Sequence, residues 1–205
     1  MHAEPTLPEG SSAPIVRAGF ASDAASLALI RSSLTDASPR ARVLALRAGA
    51  RRDALEDVDW LRALYDTDPE VRRDALVLLA ERDVPEDVLA AVRGALTDAD
   101  PLVVDAAAFA LGERGDARSV DALCVTATHE DARCREAAVA ALGAIGDERA
   151  LPTIIAALED KAPVRRRAVV ALSNFEGDEV DEALARASED RDWQVRAAVE
   201  QLTRD

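Results

Sequence analysis

Five arginines stand at corresponding points of the chain: Arg42, Arg72, Arg135, Arg165 and Arg196. With Val104 filling the one gap, successive members lie 30, 32, 31, 30 and 31 residues apart. A guanidinium is a planar fork of N–H donors matched to carboxylates and phosphates. Such a row either binds an anionic ligand or pairs with the chain's own acids. Self-pairing is the expected use, because Asp66, Asp68, Asp98, Asp100, Asp160, Asp190 and Asp192 recur in the same period. The remaining reactive side chains form no recognisable constellation. His2 and His129 have no partner motif, and the chain contains no Gly-x-Ser-x-Gly, phosphate-cradling glycine loop or His-Glu-x-x-His. Cys124 and Cys134 are too few for a disulfide framework and lack the spacing of a zinc site, so they are expected as small buried thiols, with a regulatory disulfide left open. No catalytic, cofactor or metal residue is assigned, and the chain is expected not to be an enzyme.

Composition points the same way. Of 205 residues, 49% are apolar, yet Phe, Trp and Tyr reach only 3%, so the core must be built from Ala, Leu and Val. That favours closely approaching helices. Acidic residues outnumber basic ones by 39 to 25, a net charge of −14, which argues against a partner that must have its phosphates neutralised. Another protein is the expected partner, with a basic surface as the complementary choice; nucleic acid and membrane are not expected. No run approaches the roughly 18 apolar residues of a membrane span, and Met1 to Pro14 lack the pattern of a secretory signal. A cytoplasmic protein is expected. The oligomeric state is not legible.

The arginine period belongs to a larger repeat. Asp66-Thr67-Asp68-Pro69-Glu70-Val71-Arg72 matches Asp190-Arg191-Asp192-Trp193-Gln194-Val195-Arg196 in its acidic turn followed by Val-Arg. Seven residues beyond the arginine position run Leu79, Leu111, Leu142 and Leu172, with Leu202 six beyond Arg196, and Gly-Asp pairs follow at 115–116, 146–147 and 177–178. Apolar spacing and turn residues divide each period into two helices. First helices are predicted near 23–34, 57–66, 85–97, 117–129, 148–159 and 179–189. Second helices are predicted near 39–50, 69–81, 101–113, 132–144, 162–175 and 193–203. Pro69, Pro101 and Pro163 fall in first turns, where a missing N–H costs nothing. Residues 1–22 are expected as a mobile N-terminal tail, with Ile15, Val16 and Phe20 able to fold back over the first repeat, and 23–205 as the repeat domain.

Asp-x-Asp-Pro-x-Val-Arg at 66–72, Ala-Ala-Val-Ala-Ala-Leu-Gly-Ala-Ile-Gly-Asp at 137–147 and Ala-Leu-Pro at 150–152 resemble HEAT repeats, in particular those of the phycobilisome-lyase type. The resemblance covers about residues 23 to 205. It implies an all-α fold, a right-handed α-solenoid of about six helix pairs in an armadillo-like superhelix. It also implies that each ladder arginine pairs with acidic turn residues of its own or the adjacent repeat. Most such proteins are scaffolds, and a minority attach or detach bilins. An interaction scaffold or adaptor is therefore the leading expectation, and a bilin lyase-like enzyme or subunit of a protein-modifying enzyme the alternative. No lyase motif can be matched residue by residue. A HEAT-like DNA glycosylase is disfavoured by the acidic charge.

Along a second helix, Val71, Ala75, Leu78 and Leu79 share one face at 0, 4, 7 and 8 residues, and their counterparts in later repeats form the expected core. The opposite face follows two, six and nine residues after the Val, and the resemblance places it on the concave side. Its first two members form the candidate partner-binding groove: Arg73 and Val77, Asp105 and Phe109, Glu136 and Ala140, Arg166 and Val170. The ninth positions, Ala80, Gly112, Gly143 and Ser173, are expected beside them. Trp60 and Trp193 are expected to cover core ends.

Overall fold

The computed structural model describes residues 12–202, and within them every regular element is helical. Contacts divide the chain into two compact units, Met1–Leu78 and Leu79–Asp205.

In the first unit, α1 (Ala13–Ala18) packs on α2 (Ala24–Ser33) and α3 (Pro39–Arg51), followed by α4 (Asp57–Leu64) and most of α5 (Pro69–Leu79). The expected tail therefore ends sooner: Ile15 and Ala18 are buried, Ala18 against Ile30 and Ala48, while Val16 and Phe20 stay exposed. Phe20 lies under the Arg51 guanidinium, 4.2 Å from its ring centroid. Residues 1–11 of the expected tail lie outside the described residues.

The second unit continues with α6 (Glu86–Gly94), α7 (Pro101–Glu113), α8 (Val120–Thr126), α9 (Ala132–Ile145), α10 (Leu151–Ala156), α11 (Ala162–Leu172), α12 (Asp178–Ala187) and α13 (Trp193–Leu202). Short 3-10 turns extend α6, α8 and α10. The described helices after α1 form six pairs at the predicted places. Within this unit the second helices stack in order, α7 on α9, α9 on α11 and α11 on α13. Each buries the predicted face, as in Val103, Ala107, Ala110 and Leu111, or Val164, Ala168, Ala171 and Leu172. The stacking is what defines an α-solenoid, in which each repeat buries its apolar side on the next.

Helix ends follow local chemistry. Asp100 and Asp131 each accept the backbone N–H two residues on, at 2.8 Å, and so satisfy an orphan donor of the first turn. Gly146 ends α9 at φ 66°, a left-handed conformation that glycine adopts at no steric cost.

Small residues set the helix spacing. A Cβ on Gly143 would lie 2.7 Å from the Ala171 backbone Cα, and one on Gly112 would lie 2.9 Å from the Cα of Ala141. Both glycines are buried helix–helix contacts and Ala80 is buried as well, so three of the four ninth positions are not groove surface; Ser173 is exposed. Gly143→Ala gains about 1 kcal/mol of helix propensity but must push α11 away. A net loss of about 1–2 kcal/mol is expected from overpacking, measurable as a lowered urea midpoint.

Candidate functional site

The arginine ladder is built by one rule. Each arginine sits just past the first turn of its second helix, where Nη1 donates to a carbonyl of its own preceding turn: Arg42 to Asp36, Arg72 to Asp66, Arg135 to His129, Arg165 to Asp160 and Arg196 to Asp190. In Arg42, Arg135 and Arg165 the other edge of the fork reaches the next repeat. Arg42 holds Asp66 through Nε at 2.7 Å and Nη2 at 2.6 Å. Arg135 holds Asp160 at 2.6 Å through each nitrogen. Arg165 holds Asp190 at 2.8 and 2.7 Å. Each of these three side chains thus clamps two successive turns and serves the fold.

The aspartates expected as interchangeable partners divide into two kinds. Asp66, Asp160 and Asp190 accept the arginine forks. Asp68, Asp100 and Asp192 instead accept the N–H groups of Glu70, Leu102 and Gln194, capping helix starts. Asp98 accepts the Asp100 N–H at 2.9 Å. Val104, where the arginine is missing, is fully buried. In the following turn the ladder aspartate is replaced as well: His129 stands there, its Nδ1 accepting the Asp131 N–H at 3.0 Å. Removing the cation and the anion together leaves neither charge unpaired.

These contacts set an acid limit. The Arg135 and Arg165 forks hold the Asp160 and Asp190 carboxyls below the usual carboxylate range, against some desolvation. At Asp66 burial pushes upward, but Arg42 and the Asp68 N–H outweigh it, so the net direction is again down. A carboxyl depressed by folding contributes stability above its unfolded pKa of about 4. That contribution is lost as the pH falls through the folded value. The urea midpoint is expected to hold steady from neutral pH to about 5 and to fall below about 4, less steeply in Asp190→Asn. Asp105 runs the other way: burial raises its carboxyl, so its ionisation costs stability.

The candidate groove residues lie on second helices. On α5, Arg73 is partly buried and Val77 is 52% exposed. In the second unit Asp105, Glu136, Ala140 and Arg166 are partly buried, while Phe109 on α7 is 49% and Val170 on α11 is 43% exposed. Arg167 reaches Glu136 at 3.7 Å. Trp60 covers the core at 3% exposure, as expected. Trp193 does not: it opens α13 with 66% of its surface in solvent and lines a groove of about 340 Å³ with Arg166, Val170, Gln194, Ala197 and Gln201. Sequence reasoning missed this part of the face. The available signal was register, since Ala197 and Gln201 follow Val195 as Arg166 and Val170 follow Val164.

Cys134 is buried, donates to the Pro101 carbonyl at 3.4 Å and is pushed up to about 11 by desolvation, which makes it a poor nucleophile. Cys124 is only partly buried. Among the described residues, no three His, Cys, Asp or Glu side chains converge in a metal-binding group, and no helix is long and apolar enough to cross a membrane.

Stacked helix pairs clamped by arginine forks define an α-helical repeat protein. The HEAT-repeat family model matches residues 58–142 and 125–203, and the chain belongs to that family. No curated protein sequence matches it. Solved structures resemble it in fold. YibA of Escherichia coli is 16% identical with a TM-score of 0.67, over 96% of this chain and 75% of that one. The complex of CpcE and CpcF of phycocyanin lyase from Nostoc sp. PCC7120 is 20% identical with a TM-score of 0.63, over 97% of this chain and 79% of that one. A designed armadillo repeat protein in complex with the peptide (KR)4 is 16% identical with a TM-score of 0.60, over 95% of this chain and 99% of that one.

Proposed function

We propose that this chain is a non-catalytic adaptor that binds another protein along the outward faces of its second helices. The observation that carries the reading is the exposure of Phe109, Val170 and Trp193 on those faces, in a chain with only six aromatic residues. Large apolar side chains on a rigid repeat surface, flanked by partly buried charges, have the makeup of binding anchors. The excess of 39 acidic over 25 basic residues favours a partner that is basic over most of its contact area. The designed armadillo protein holding (KR)4 offers a precedent for an armadillo-like fold accepting such a ligand.

Phe109→Ala and Val170→Asp test the reading in binding assays with the protein recovered from the native host on the immobilised chain. Each is expected to weaken binding about 10-fold or more, the effect of removing an anchor worth about 1.4 kcal/mol or more, with an unchanged circular dichroism melt. Unchanged affinity in both variants would remove the reading. Stoichiometric bilin uptake with altered absorbance would instead make the chain a lyase-like enzyme.

A further inference from the structure

The groove between α11 and α13 differs in charge from the chain that carries it. None of its lining residues is acidic, although the chain as a whole is at −14. Two arginines stand on its α11 side. Arg167 is engaged by Glu136, and Arg166 projects from the outward face one turn before Val170. The Asp192 carboxylate, next to Trp193 in sequence, accepts the Gln194 N–H at 2.8 Å and is not among the lining residues. Across from Arg166 stands the exposed Trp193 indole, with Ala197 and Ala198 leaving room between the helices. Gln194 and Gln201 lie seven positions apart on α13, about 10 Å along the axis, one toward each end of the groove.

We propose that this groove is a subsite for an internal segment of a partner protein that places an Asp or Glu side chain beside an apolar one. The carboxylate meets the Arg166 fork, and the apolar neighbour packs on Trp193 and Val170. The two glutamine amides hydrogen-bond the segment's backbone on either side of the anchor. Their separation matches about three extended residues, which requires a chain continuing in both directions and disfavours a C-terminal carboxylate. The inference rests on the adaptor reading but departs from its overall charge: a partner basic elsewhere carries one acid here.

The test is selection from a random-peptide display library on the full chain, followed by anisotropy titration of selected peptides made as C-terminal amides. Selected peptides are expected to share an Asp or Glu next to an aliphatic or aromatic residue. Arg166→Glu and Trp193→Ala should each weaken them at least 10-fold, Arg166→Lys less, and a peptide with its acid changed to Lys should regain affinity for Arg166→Glu. Trp193 is mostly exposed, so its replacement is expected to leave the melt unchanged. Peptides lacking a fixed acid, insensitivity to Arg166→Glu, or binding by free-acid but not amidated peptides would overturn the subsite. If binding responds to Phe109→Ala alone, the subsite fails and the adaptor reading stands. Failure of the wild-type chain to select any peptide would remove both.

Discussion

Leu142→Asp is expected to leave the chain largely unfolded at room temperature. Leu142 is fully buried on α9, which packs against α7 on one side and α11 on the other. The substitution removes a leucine's burial, worth about 2 kcal/mol, and leaves a buried carboxylate without a cation. Such uncompensated charges cost about 3–5 kcal/mol. The sum is comparable with the whole stability of an ordinary domain, about 5–15 kcal/mol. Circular dichroism should show lost helix signal or a melt lowered by more than about 10 °C, whereas Leu142→Met should cost under about 1.5 kcal/mol.

The second large effect is expected at a deeply buried rung of the ladder. The Arg165 and Asp190 side chains are 6% and 13% exposed, and they share two short N–H···O bonds. Asp190→Ala leaves a buried guanidinium unpaired and should destabilise by about 3–5 kcal/mol; Arg165→Ala also breaks the clamp to the Asp160 carbonyl. Replacing both with apolar residues of similar volume should recover much of the loss, because neither charge is then stranded. Urea denaturation of the four proteins in a double-mutant cycle checks this: a coupling energy near zero would mean the rung is decoration. Val104 and His129 are the natural version of the double replacement, since this chain has already removed that rung.

Helix placement was readable because repeat folds write it many times over. Asp-x-Asp turns, first-turn prolines and Gly stops recur in one register, so local ambiguity in one repeat is resolved by its neighbours. The six-residue α1 was not readable as a helix, because it is too short to display a period and its stability comes from burying Ile15 and Ala18 on the first pair. Pairing was half legible. Sequence spacing showed that arginines and aspartates travel together, but not that Asp66 takes the fork while Asp68, two residues on, caps the helix; that division depends on which carboxylate the turn points at the preceding repeat. The groove was the least legible element. Gly143 on α9 and Phe109 on α7 both belong to the face predicted opposite the core, yet the first is pressed against Ala171 and the second is half exposed. Helical phase fixes direction, and the neighbouring helix decides depth. Trp193 was misplaced for the same reason, since burial of a helix's first residue depends on what packs beyond it.

Hydroxyl-radical footprinting of the chain with and without a bound protein or selected peptide tests the adaptor claim most directly. Phe109, Val170 and Trp193 should become protected, while Phe20, Tyr65 and Val125, exposed but outside the second helices, keep their reactivity. Protection of those three, with Phe109 and Trp193 still reactive, would contradict the assignment of the second-helix face as the binding surface.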